Sequence, residues 1–135
     1  MISLLLVALA AICNAVMDTI SFHYKISIFT KFNPQWWNPA ISWKNKYVDY
    51  SKFAEYTGKV SKLEKRIFIL NLFSIKYPTF LTDAWHFFKS LMIVLLGFAI
   101  VLYVPVVNIY VDIILVGFAW NLTFNVFYNK IFKKH

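Results

Sequence analysis

Thr82-Asp83-Ala84-Trp85-His86-Phe87-Phe88-Lys89-Ser90 runs without a break into Leu91-Met92-Ile93-Val94-Leu95-Leu96-Gly97-Phe98-Ala99-Ile100-Val101-Leu102. The second part carries no polar side chain. Continued to about Val104, the stretch rises about 1.5 Å per residue as a helix and covers the ~30 Å of bilayer hydrocarbon. Thr82 is expected to cap this helix, with Asp83 in its first turn, where the positive end of the helix dipole favours a carboxylate. The opening turns set an acid, an imidazole and an amine at the edge of lipid. Such groups are costly there unless they face protein or a wet cavity, and they mark a functional site by default.

Working outward, Pro105 and Asn108 punctuate a short hairpin, and a further apolar run extends from about Val107 to Tyr128 through Ile113-Ile114-Leu115-Val116-Gly117-Phe118-Ala119-Trp120. Lys130, Lys133 and Lys134 follow it. At the other end of the chain, Ile2 to Ile20 is rich in Leu, Val and Ala and just long enough to span. It lacks a basic leading segment and a small-residue cleavage pattern, so it is expected to stay as a membrane helix rather than be removed as a signal peptide. The composition agrees: of 135 residues, 60% are hydrophobic and only 15% charged, too apolar for a soluble domain of this size. The single cysteine, Cys13, lies inside the first run and has no partner for a disulfide within the chain.

Residues 23–81 connect the first and second spans and are strongly basic. From residue 23 to 82, Lys25, Lys31, Lys44, Lys46, Lys52, Lys59, Lys62, Lys65, Arg66 and Lys76 stand against only Asp49, Glu55 and Glu64. The formal net charge of +8 could suggest nucleic acid, but the cations are interleaved with Trp and Tyr beside apolar runs. That pattern belongs to a membrane surface, with anionic lipid as the partner and no nucleic acid. Trp36, Trp37 and Trp43, set between Asn-Pro breaks, are expected at the interface together with Lys65, Arg66 and Lys89. Ser61-Lys62-Leu63-Glu64 has the form of a capping box leading into Arg66 to Ile75, whose apolar run is too short to span. An amphipathic helix lying in the interface is expected over this part, with a re-entrant half-helix as the alternative.

The expected fold is therefore an all-α integral membrane protein, a single domain over residues 1–135. It has three transmembrane helices (about 2–20, 82–104 and 107–128) plus an interfacial helix in the long loop. Lys and Arg crowd the connecting region and the carboxyl-terminal tail but are absent from the amino terminus and the 104–109 hairpin. By the bias of basic residues toward the cytoplasm, the amino terminus lies outside and the carboxyl terminus inside.

Within the spans the polar residues recur at helical spacing. Asn14 and Asp18 are four apart, Asp83, His86 and Ser90 fall at i, i+3 and i+7, and Asn121 and Asn125 are four apart. Each set makes one stripe toward the cytoplasmic end of its span, so Asn14, Asp18, Asp83, His86, Ser90, Asn121 and Asn125 are expected to share a polar ligand site open to the cytoplasm. Asp83, His86 and Asp18 are the candidates for acid–base chemistry. Asp18, Asp83, His86 and His23 form a candidate set for a divalent metal such as zinc, iron or manganese, although His23 follows Asp18 by five residues and points off the stripe. Asp112, at the far end of the third span, is expected as a solvated helix end. Asn121-Leu122-Thr123 has the form of a glycosylation sequon, but at membrane depth this is chance.

With only three histidines, and without Gly-x-Ser-x-Gly, His-Glu-x-x-His or a Walker loop, the familiar catalytic signatures are absent. Three functions fit. The first is a self-associating membrane protein whose polar layer binds or conducts an ion or small polar ligand, with Gly97 and Gly117 as close-approach points between helices. The second is a membrane-embedded metal-dependent enzyme acting on a lipid or other amphiphile at the cytoplasmic leaflet. The third is a holin-like lytic or effector protein of a bacterium or phage, which would have no need of an acid–histidine pair.

Overall fold

The computed structural model describes residues 1–46 and 79–134. These residues are mostly helical, with no strand among them. Three of the helices are long and apolar enough to cross a membrane. The expected interfacial helix, with Lys65 and Arg66, lies outside the described residues.

Helix α1 spans Ile2–His23. Neither Gly nor Pro interrupts it, and its polar residues do not break it: Thr19 returns its hydroxyl to the Ala15 carbonyl at 2.7 Å. The helix thus continues a turn past the expected end at Ile20. Two 3-10 turns follow, Tyr24–Ile26 and Ile28–Lys31, joined through Ser27. The Ser27 hydroxyl donates to the Tyr24 carbonyl at 2.7 Å and accepts from the Phe29 N–H at 3.3 Å, so one buried side chain ends the first turn and starts the second.

The two Asn-Pro pairs begin short helices rather than merely breaking the chain. Asn33 caps α2, Pro34–Trp37, and Asn38 caps α3, Pro39–Ser42. Each asparagine accepts from the N–H two residues on, and each proline takes the first helical position, where its missing N–H costs nothing.

Helix α4 runs over Ala84–Val101 and α5 over Ile109–Val126, the latter continued by a π turn, Phe127–Ile131. Asp83, not Thr82, caps α4: its backbone is extended and its carboxylate accepts the His86 N–H at 2.9 Å. Asn108 caps α5, accepting from Tyr110 and Val111. Spans two and three are accordingly shorter at their hairpin ends than hydropathy alone suggested.

The packing is centred on α1. Helices α4 and α5 each lie along it, with far less contact between themselves. Buried side chains therefore surround much of α1, and Ala10, Ala11 and Ala15, all with no exposed surface, let the flanking helices come close. At one end the Ser3 hydroxyl donates to the Leu102 carbonyl at 3.0 Å, fastening the start of α1 to the hairpin. At the other end the tail folds back on the segment after α1. Ile28 N–H donates to Phe132 O and Lys134 N–H to Ile26 O, at 3.0 and 2.7 Å. This basic end also holds the main hydrophobic cluster, in which Ala15, Val16, Ile20, Phe29, Ala84 and Phe132 are covered by Trp36, Trp37, Phe88, Phe124 and Tyr128.

Candidate functional site

Asp83 and His86 form the best-built polar pair in the described structure. The cap geometry that starts α4 turns the Asp83 carboxylate back over the first turn, and His86, three residues on, stands on the same face. Its Nδ1 lies 2.8 Å from both carboxylate oxygens. The aspartate side chain is 3% exposed and the histidine side chain 26%, so the carboxylate is enclosed while the imidazole reaches the surface. With Nδ1–H donated to a carboxylate, the neutral ring carries its free lone pair on Nε2, which has no hydrogen-bond partner among the described residues. The carboxylate orients the imidazole.

A second layer of polar groups secures the pair. Thr82 donates its hydroxyl to Asp83 Oδ2 at 3.4 Å, and its carbonyl accepts from Asn45 Nδ2 at 2.8 Å. Asn45 also donates to the Gln35 carbonyl at 2.7 Å and accepts from the Gln35 side-chain amide. The loop after α1 is thereby tied to the start of α4. Gln35 and Asn45 were invisible as site residues in the sequence, because contacts across 10 and 37 positions leave no local period. Trp36 and Trp37 reinforce the same junction. Trp36 packs on Phe87 at 5.8 Å between centroids and Trp37 on Phe88 at 5.8 Å, while Trp37 stacks nearly parallel on Phe29 at 4.7 Å. These two rings, expected at the lipid interface, turn at least one side to protein. Trp43 is exposed, its indole N–H donating to the Ala40 carbonyl at 3.2 Å.

Ser90, one turn above His86, lines an open apolar groove with Phe80, Phe87, Leu91, Ile93 and Val94. Lys89 lies off this face and turns back one helical turn, its ammonium 4.8 Å from the Trp85 ring centre.

The other expected members make no hydrogen bond to this pair among the described residues. Asn121 and Asn125 are exposed on α5 and bond to their own helix, donating to Gly117 O at 2.9 Å and Asn121 O at 2.8 Å. Asn14 and Asp18 are half-buried on α1, and neither is hydrogen-bonded to Asp83 or His86. His23 ends α1 with its ring against Tyr128, 5.5 Å between centroids, and Lys133 sits over the same tyrosine at 4.0 Å. No group of three or more His, Cys, Asp or Glu among the described residues could hold a metal ion, so the Asp18, Asp83, His86 and His23 set is not assembled. His23 is turned away from Asp18, because α1 stays helical through His23 and five residues carry a side chain about 140° round the helix.

At the hairpin end, Asp112 corrects another expectation. Instead of a solvated helix end it is 3% exposed and accepts three bonds: from the Tyr103 hydroxyl at 2.7 Å, Val106 N–H at 2.9 Å and Val107 N–H at 3.2 Å. The hairpin closes over the carboxylate because its backbone donors have no other acceptor. Tyr103 is held above the ordinary phenol range, first by this hydrogen bond and then by desolvation and the nearby charge.

No protein-family model, curated protein or solved structure matches the chain.

Proposed function

We propose that the chain is a small polytopic membrane protein that self-associates and uses Asp83 and His86 to bind and pass on a small cation or polar ligand, a proton being the simplest. The observation that carries this reading is the enclosed Asp83 carboxylate fixing His86 Nδ1 and leaving Nε2 without a partner among the described residues. Histidine is the side chain that exchanges a proton near neutral pH, and a carboxylate behind it is the usual means of fixing its tautomer. The basic end, which carries this pair, faces the cytoplasm by the distribution of Lys and Arg, and its cations meet anionic headgroups. The three candidate spans among the described residues are too few to enclose a continuous path alone, so conduction requires more than one copy.

The test is proton movement into vesicles of phosphatidylcholine and phosphatidylglycerol containing the full chain and an internal pH dye, driven by a potassium diffusion potential. Flux above empty vesicles is expected, with at least a fivefold loss in His86→Ala and in Asp83→Asn. Wild-type flux no greater than that of empty vesicles, or full flux in both variants, would overturn the reading.

One observation favours an amphiphile as the ligand instead. The groove formed by Phe87, Leu91, Ile93 and Val94 begins beside Ser90, so a headgroup at His86 would have an apolar track for its tail. Lipid retained by the purified protein in native mass spectrometry, and lost on Val94→Trp, would support that ligand.

A further inference from the structure

Asn121, Asn125 and Asn129 recur every four residues on α5 and its π turn, and all three are exposed. Gly117 begins the same row. Asp112 lies nine residues before Asn121, two and a half turns, and is buried, so the row is on the side of the helix away from the protein interior. The apolar stretch that could span runs Ile109–Ile131. Asn121 stands about 15 Å from its nearer end and Asn125 about 9 Å, at 1.5 Å per residue. Two primary amides are therefore presented outward at depths where lipid offers no hydrogen bond.

Their internal bonds leave at least half of each amide unused. Asn121 Nδ2 donates to Gly117 O, Asn125 Nδ2 to Asn121 O, and Asn129 Nδ2 to Asn125 Oδ1 at 3.2 Å. Each nitrogen has a second hydrogen, and Asn121 Oδ1 accepts nothing among the described residues. Gly117 supplies an independent observation. A Cβ there would meet nothing within 4 Å, so the protomer's own packing does not require its smallness. A bare backbone on an outward helix face, one turn from an outward amide, suits close approach by another helix.

We infer that this row is the interface between two parallel copies of the chain. The inference rests on the self-association in the reading above and names the face that carries it. A second copy is the occupant the chemistry selects, because an amide is donor and acceptor at once and pairs with its own image. Two copies inserted the same way place Asn121 opposite Asn121 at one depth, as a two-fold axis along the membrane normal demands. Helix α5 meets helix α5 at Gly117, and the amides of Asn121 and Asn125 exchange hydrogen bonds across the axis.

The experiment uses the full chain in phosphatidylcholine and phosphatidylglycerol vesicles, with Cys13→Ala as background and one new cysteine at a time. Ile114→Cys lies one heptad before Asn121, on the same face; Ile93→Cys, on α4, is the exposed control. Mild oxidation is expected to give a disulfide-linked dimer from Ile114→Cys and at least fivefold less from Ile93→Cys. Adding Asn121→Leu with Asn125→Leu should lower the Ile114→Cys dimer at least fivefold, while Asn121→Gln with Asn125→Gln should retain most of it. Photobleaching of singly labelled chains, counted per vesicle, separates the failures. Single steps in the wild type would overturn both self-association and this face. Two steps that persist in the leucine variant, or equal cross-linking from Ile93→Cys, would overturn this face alone.

Discussion

Replacing Asp83 by alanine removes the acceptor for the His86 N–H at 2.9 Å and the partner of His86 Nδ1 at 2.8 Å. Loss of an N-cap costs about 1 kcal/mol. A hydrogen bond to a charged, enclosed group contributes about 1.5–3 kcal/mol. The two share one carboxylate and do not add fully, so Asp83→Ala should destabilise the protein by about 2–4 kcal/mol, roughly 30- to 1,000-fold in the unfolding equilibrium. Asp83→Asn keeps a good capping oxygen but loses the charge and one acceptor oxygen, and should cost about 1 kcal/mol. The assay is reversible unfolding from mixed micelles by a denaturing detergent, followed by helical circular dichroism. The order matters more than the absolute values: alanine well below asparagine, and Thr82→Ala less harmful than Asp83→Ala. A Thr82→Ala variant more damaging than Asp83→Ala would refute the assignment of the cap, and with it the geometry that holds His86.

Two further outcomes check other parts of the structure. Phe29 is 4% exposed between Trp37 and Phe132, so Phe29→Ala should cost about 3 kcal/mol in the same unfolding assay and free Trp37 to fluoresce at longer wavelength. Tyr103 is raised above the ordinary phenol value, which means the fold favours its neutral form. The stability it lends is whole below the normal tyrosine range, near 10, and is lost as pH rises through its raised pKa. In an ultraviolet titration, the difference between wild type and Tyr103→Phe should show a phenol titrating above that range, and Asp112→Asn should bring it down.

The three long helices were legible because long apolar runs between basic flanks have few other solutions. Their ends were less so. Capping preference set the cap of α4 at Thr82 with Asp83 in the first turn; both are suitable cap residues, and only the extended backbone at Asp83 distinguishes them. Helical spacing set Asn121 and Asn125 on one stripe, and both lie exposed on α5; Asp83 and His86 meet instead through the cap, since Asp83 precedes the helix with extended backbone. Spacing could not say which way a stripe points, because an apolar helix in lipid has no polar side to orient it. That is why the asparagines were expected to join His86 and instead face outward. Asp112 was misjudged for a related reason: its partners are a phenol and two backbone N–H groups in a non-periodic hairpin, which no spacing rule reveals.

The position of α1 between α4 and α5 bears on how the chain is built. Helix α1 precedes α4 and α5 in the chain and both pack on it, so its flanks stay uncovered until the hairpin has been made. The hairpin alone, with its two helices in little mutual contact, would lack a surface against which to order itself. A fragment holding α4 and α5 should therefore assemble only when a separate fragment carrying α1 is made in the same membrane. Substitutions that enlarge Ala10, Ala11 or Ala15 would then be felt first as a failure of assembly rather than as a loss of activity.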